Sequence, residues 1–96
     1  MGQVMTLADV LGSFESFEAE DTIYAAEPWS KGSKAVVAHE PKTGGVPQEV
    51  QAQGMKYFLE VFVARDFLED WKRTLDKEPT RDEVCARLIH YAIHDA

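Results

Sequence analysis

The chain has 96 residues, of which 45% are hydrophobic, so it can bury the core of one domain, spanning residues 1–96, but not two cores. The single cysteine, Cys85, excludes an internal disulfide framework, and no apolar run approaches the roughly 18 residues of a membrane span. Because the N-terminal sequence also lacks the basic and apolar regions of a signal peptide, we expect a cytoplasmic protein that does not contact membranes.

The charge of the chain is acidic and unevenly distributed. The formal net charge is −7 and the isoelectric point is about 4.8, which disfavours direct nucleic-acid binding and favours a protein partner with a basic surface. The first 30 residues contain no Lys or Arg, and their acidic residues are Asp9, Glu15, Glu18, Glu20, Asp21 and Glu27. Two interpretations remain open: a solvated loop that keeps the protein soluble, or a docking surface for a basic partner.

The N-terminal segment predicts a short helix followed by an acidic linker. Thr6 can cap a helix whose apolar residues recur at helical spacing, and Gly12 can end it. Phe14 and Phe17 then bracket a linker that runs to Asp21. We expect the two rings to pack the linker onto the core.

Two strands joined by a turn are predicted next. Residues 22–26 begin with β-branched and aromatic side chains, and residues 34–39 read KAVVAH, so both segments have strand composition. Pro28 ends the first strand, and Trp29 in the following turn is expected to be an accessible aromatic ring.

Residues 39–47 predict a loop, since they contain two prolines and a glycine pair. The glycine pair lacks the preceding strand and following helix of a phosphate-binding loop. His39, at the start of the loop, is expected to be a surface residue. Pro47 suits the first position of a short helix that Gly54 ends.

The most apolar stretch, residues 55–75, predicts a strand that passes directly into a helix. Alternation gives one apolar strand face, made of Met55, Tyr57, Leu59 and Val61, and places Phe58 on the mixed face. From residue 61 the apolar side chains follow a spacing of three and four, which indicates an amphipathic helix. Phe62 fits neither pattern, and we expect it to be an exposed aromatic residue at the junction.

The last segment predicts a helix that opens at a capping box, from Thr80 to Glu83. His90 and His94 are four residues apart on this helix, which is the spacing of a shared zinc ion, but both fall beside Arg87 and away from the apolar arc. A titrating surface pair is therefore the favoured interpretation. Neither a catalytic set, a cofactor site nor a metal site is predicted.

The C-terminal half reads YFLEV, then L-E-D early in a helix, then P-T-x-D-E-V and ARLIHYAIHDA. From about Gln48 to Ala96 it resembles small bacterial domains of unknown function whose last helix carries an L-I-x-Y-A-x-x-D-A pattern. That pattern is matched here by Leu88, Ile89, Tyr91, Ala92, Asp95 and Ala96. In size and acidity the chain also resembles toxin-neutralising immunity proteins and phage anti-defence inhibitors.

These elements predict a single α+β domain. We expect a three-stranded, mostly antiparallel sheet with two C-terminal helices packed on one face and a short N-terminal helix. The third strand can lie beside either strand of the hairpin.

The favoured function is a non-enzymatic protein that inhibits or neutralises a basic macromolecular partner. Acidic surfaces speed association with basic partners, and accessible aromatic residues supply binding energy. The predicted partner-binding residues are Glu15, Phe17, Glu18, Glu20, Asp21, Glu27, Trp29 and Phe62. The alternatives are a structural or homodimeric accessory domain, and a small metal-binding protein that uses His39, His90 and His94.

Overall fold

Four antiparallel strands form one sheet in the computed structural model, which describes residues 4–42 and 45–94. The strands are β1 (Met5–Thr6), β2 (Thr22–Ala26), β3 (Lys34–Ala38) and β4 (Met55–Glu60), in the spatial order β1-β3-β2-β4. The α-helices are α1 (Leu7–Gly12), α2 (Gln48–Gln51), α3 (Val61–Lys72) and α4 (Arg81–His94). The prediction of an α+β domain is confirmed.

The predicted number of strands is wrong, because β1 adds a fourth. Met5 pairs with Ala35 and Thr6 with Lys34. A strand of two residues has no alternation that a sequence pattern can reveal. The predicted third strand is β4, and of the two hairpin strands it pairs with β2.

Apolar clusters lie on both faces of the sheet, so the predicted arrangement with helices on one face is incomplete. The larger cluster combines strand residues such as Ile23 and Val37 with α1, α3 and α4. The smaller cluster lies on the opposite face, where Tyr24 packs with Val50 of α2 and with Met55. Within the described segments, none of the helices is long and apolar enough to cross a membrane.

A β-bulge in β4 overturns the predicted alternation of that strand. Tyr24 pairs with Tyr57 and Ile23 with Leu59, so Phe58 is an extra residue between two pairs. Phe58 and Leu59 therefore both enter the larger cluster. Met55, predicted on the same face as Leu59, lies in the smaller cluster, and Tyr57 is exposed.

Local signals placed the starts of α3 and α4 correctly, whereas α2 begins one residue after Pro47 and ends at Gln51, before Gly54. The Glu83 amide donates to Thr80 Oγ1 at 3.1 Å, and the Thr80 amide donates to Glu83 Oε1 at 2.9 Å, which is the predicted capping box. β4 ends at Glu60 and α3 begins at Val61, within a residue of the predicted junction. Gly54 follows α2 with a φ of 76°, a conformation that strongly favours glycine.

The Tyr24 hydroxyl is buried, and it has no hydrogen-bond partner among residues 4–42 and 45–94. Burial raises the pKa of Tyr24 above its ordinary value of 10.0. A buried hydroxyl that makes no hydrogen bond costs free energy, since it has lost its contacts with water.

We expect Tyr24→Phe to leave the free energy of unfolding unchanged or to raise it by up to about 1 kcal/mol, measured by urea denaturation at neutral pH. In the wild type, the unfolded chain loses the tyrosine proton before the folded chain does. Ionisation of Tyr24 therefore leaves the free energy of unfolding unchanged below pH 10 and lowers it as the pH rises through the raised pKa. Tyr24→Phe should show a shallower alkaline loss of stability. A clear destabilisation at neutral pH would contradict this prediction.

Candidate functional site

The acidic linker, residues 13–21, is anchored to α3 by Arg65. One guanidinium nitrogen, Nη2, donates to the carbonyl oxygen of Phe14 at 2.8 Å and to that of Phe17 at 2.6 Å. The guanidinium carbon also lies 5.7 Å from the centre of the Phe14 ring. Both rings pack against the larger cluster, as the sequence predicted.

The far end of the linker caps the first turn of α3. The amide of Val61 donates to the Asp21 carbonyl oxygen at 2.9 Å, and the amide of Phe62 donates to the Ala19 carbonyl oxygen at 3.2 Å. The side chain of Glu60, the N-cap residue, forms no capping hydrogen bond in the described part of the chain, so these carbonyls satisfy amides that the start of a helix otherwise leaves free. The linker is therefore fixed at both ends through its backbone.

Five predicted partner-binding residues meet at this surface. We call it the acidic patch, and it consists of Glu15, Glu18, Glu20, Asp21 and Phe62. The three glutamates are exposed, whereas the Asp21 side chain is only 15% exposed. Phe62 is 46% exposed, as predicted for an aromatic residue at the junction.

A groove of about 690 Å³ runs between the linker and α3. Its walls combine apolar rings with charges of both signs, contributed by Phe14, Glu15, Phe17, Arg65, Leu68, Glu69 and Lys72. Phe17, predicted to contact a partner, is half-buried in this wall. The mixture of charges does not select an anionic or a cationic ligand.

Glu27 and Trp29 lie away from the acidic patch, at the opposite end of β2. A strand of five residues separates the two ends by roughly 17 Å. Glu27 pairs with Lys56 at 2.9 Å. Trp29 is half-buried rather than freely accessible, because its ring packs edge-on against Phe58, with 4.9 Å between ring centres, and its Nε1 donates to Ala25 at 3.2 Å.

His39 contacts the acidic patch, which the sequence analysis did not anticipate. Its Nδ1 lies 2.8 Å from Oδ1 of Asp21, and its Nε2 lies 3.8 Å from Oε2 of Glu18. The signal was present in the hairpin, because antiparallel pairing of Thr22 with Ala38 places Asp21, the residue before Thr22, beside His39, the residue after Ala38. In the part of the chain that the structure describes, these three side chains form the one grouping with the composition and spacing of a metal site.

The remaining chemistry-bearing residues are the histidine pair of α4, which is exposed as predicted, and Cys85. His90 and His94 are exposed on α4, with ring centres 4.5 Å apart, and Arg87 Nη1 lies 3.2 Å from His90 Nδ1. Cys85 is buried in the larger cluster, and burial raises the pKa of its thiol. A buried thiol of this kind is a weak nucleophile.

The fold defines a small α+β domain with helices on both faces of an antiparallel sheet. Over residues 4–96 the chain matches the family described as Domain of unknown function (DUF7716), and it belongs to that family. Neither a curated protein nor a solved structure matches the chain. The resemblance to a domain of unknown function is thus confirmed, and it extends over both halves of the chain. Asp95 and Ala96, the last positions of the C-terminal pattern, and Gly44 of the loop lie outside the described residues.

Proposed function

We propose that this domain is a non-enzymatic cytoplasmic protein that binds a basic protein partner through the acidic patch and inhibits or neutralises it, as immunity proteins and anti-defence inhibitors do. One observation carries the proposal. The acidic linker is fixed to α3 at both ends, by Arg65 and by the first amides of the helix, while its glutamate side chains remain exposed.

A fixed linker favours binding, because its conformational entropy is lost when the domain folds and is not lost again when a partner associates. Glu15 and Glu20 form no ion pair within the described segments, so their charges are available to a partner. Such charges accelerate the encounter with a basic surface. Phe62, exposed beside them, supplies an aromatic contact of the kind that dominates interface energies.

Charge reversal of the patch tests the proposal. The double variant Glu15→Lys, Glu20→Lys should lose the basic proteins that the wild type captures from the source organism, and its affinity for a purified captured partner should fall at least tenfold. The matched control is Glu49→Lys, Glu78→Lys, which reverses two exposed acidic residues elsewhere with the same change in net charge. Binding equal to wild type in the patch variant, or equal loss in the control, would rule out docking through this patch.

A second variant, Phe62→Ala, separates aromatic contact from charge. It should weaken binding of the same partner by about tenfold or more, with little change in the association rate. Inhibition is measured as a loss of the partner's activity. Phe62→Ala should inhibit the partner less than the wild type does, in proportion to its loss of affinity. A homodimer without a heterologous partner, detected by sedimentation, would favour the alternative of a structural accessory domain.

A further inference from the structure

His39 lies between two carboxylates that come from a different part of the chain. It follows the last residue of β3, while Glu18 and Asp21 occupy the turn that ends the acidic linker. In that turn the Asp21 amide donates to the Glu18 carbonyl oxygen at 3.0 Å, and the Glu18 amide donates to Asp21 Oδ2 at 3.3 Å. One carboxylate is therefore fixed, and it is largely shielded from solvent.

Both nitrogens of the imidazole face carboxylate oxygens. Imidazole nitrogen and carboxylate oxygen are both ligands of transition metals, so a cation placed between these groups would accept an imidazole lone pair and attract both carboxylates. The imidazole thus distinguishes this grouping from an ordinary cluster of surface acids.

We propose that His39, Glu18 and Asp21 bind a divalent transition-metal cation of the Zn²⁺ class. One ligand atom from each residue lies within 4.8 Å of the other two. Zn²⁺ bonds of about 2.0–2.2 Å place tetrahedral ligand atoms roughly 3.4 Å from one another, so the most widely separated pair must approach by up to about 1.4 Å. His39 and Glu18 can supply that movement, because their side chains are 71% and 70% exposed.

The donor set selects the class of metal. An imidazole nitrogen with two carboxylate oxygens suits Zn²⁺, whereas Ca²⁺ and Mg²⁺ prefer oxygen ligands alone. Three protein ligands leave a fourth position open to water or to another molecule. The ion would join the acidic linker to the end of β3. The linker would then have three attachments, because it is already attached to α3 at two places. The site does not depend on the proposed partner.

Calorimetric titration of the metal-free full chain with Zn²⁺ alone tests the site. We expect one ion per chain, with affinity at least tenfold weaker in His39→Ala and in Asp21→Asn. Since His39 is exposed, its variant should keep the wild-type circular dichroism spectrum. At a Zn²⁺ concentration about a hundredfold above the dissociation constant, the wild-type melting temperature should rise by something on the order of 10 °C.

The exposed pair on α4 provides the discriminating control. The double variant His90→Ala, His94→Ala should retain wild-type affinity for Zn²⁺. Loss of binding in this variant, with retention in His39→Ala, would assign the ion to α4 and overturn the proposal. Absence of Zn²⁺ binding by the wild type would also overturn it, and equal affinity for Ca²⁺ and Zn²⁺ would refute the metal class.

Discussion

Phe58→Ala is expected to lower the free energy of unfolding by about 4 kcal/mol. Phe58 is only 2% exposed, packs in the larger cluster and contacts the Trp29 ring edge-on. Its removal leaves a cavity that the bulge cannot close without shifting the pairing of β4 with β2. Trp29 would also lose its ring partner, an interaction worth about 1 kcal/mol.

Equilibrium urea denaturation measures this loss, with Phe62→Ala as the matched control. The control removes the same side-chain atoms from an exposed position in α3. We expect it to change the free energy of unfolding by no more than about 0.5 kcal/mol. If Phe58→Ala does not fold, Phe58→Leu should still fold and lose about 1–2 kcal/mol. Equal stabilities of Phe58→Ala and Phe62→Ala would show that the bulge does not bury Phe58.

Arg65→Ala is expected to lower the free energy of unfolding by about 2–3 kcal/mol and to release the acidic linker. The guanidinium makes two charge-assisted hydrogen bonds in a partly buried position, each worth about 1.5 kcal/mol or somewhat less after solvent screening. Without them, the carbonyl oxygen of Phe17 loses the guanidinium donor, and that of Phe14 keeps only the amide of Phe17. Arg65→Lys should be intermediate, because an ammonium group does not reproduce the planar guanidinium.

Release of the linker can be measured separately from global stability. A glutamate-specific protease should cleave after Glu15, Glu18 and Glu20 at least tenfold faster in Arg65→Ala than in the wild type, since local opening exposes the backbone. Arg73→Ala is the control: Arg73 pairs with Asp70 and Glu69 at the surface of the same helix, and its loss should cost less than about 0.5 kcal/mol. Unchanged cleavage in Arg65→Ala would show that Arg65 does not hold the linker.

The sequence predicted features that depend on near neighbours in the chain. The capping boxes at Thr6 and Thr80 involve residues three positions apart, and the change of pattern at residue 61 reflects a strand joined directly to a helix. Each signal lies within one element. The class of fold could therefore be derived from the order and type of these elements.

Features that depend on distant neighbours were missed. The bulge at Phe58 arises from pairing with β2, and nothing within residues 55–60 indicates it. Likewise, nothing in the helical pattern of α3 indicates that Arg65 contacts carbonyl groups about 50 positions earlier. The grouping of the three candidate metal ligands is missed for the same reason, since Glu18 and Asp21 are predicted only as partner-binding acids and His39 only as a surface residue. A predicted register for the hairpin would place His39 beside Asp21.

The linker is attached to α3 through carbonyl oxygens of Phe14, Phe17, Ala19 and Asp21. Every amino acid provides such an oxygen, so these four bonds constrain the path of the chain but not the identity of its exposed side chains. Residues at positions 15 and 20 can thus be exchanged while the scaffold is kept. Under the proposed docking, a different set of side chains at these positions would change the partner without redesigning the domain.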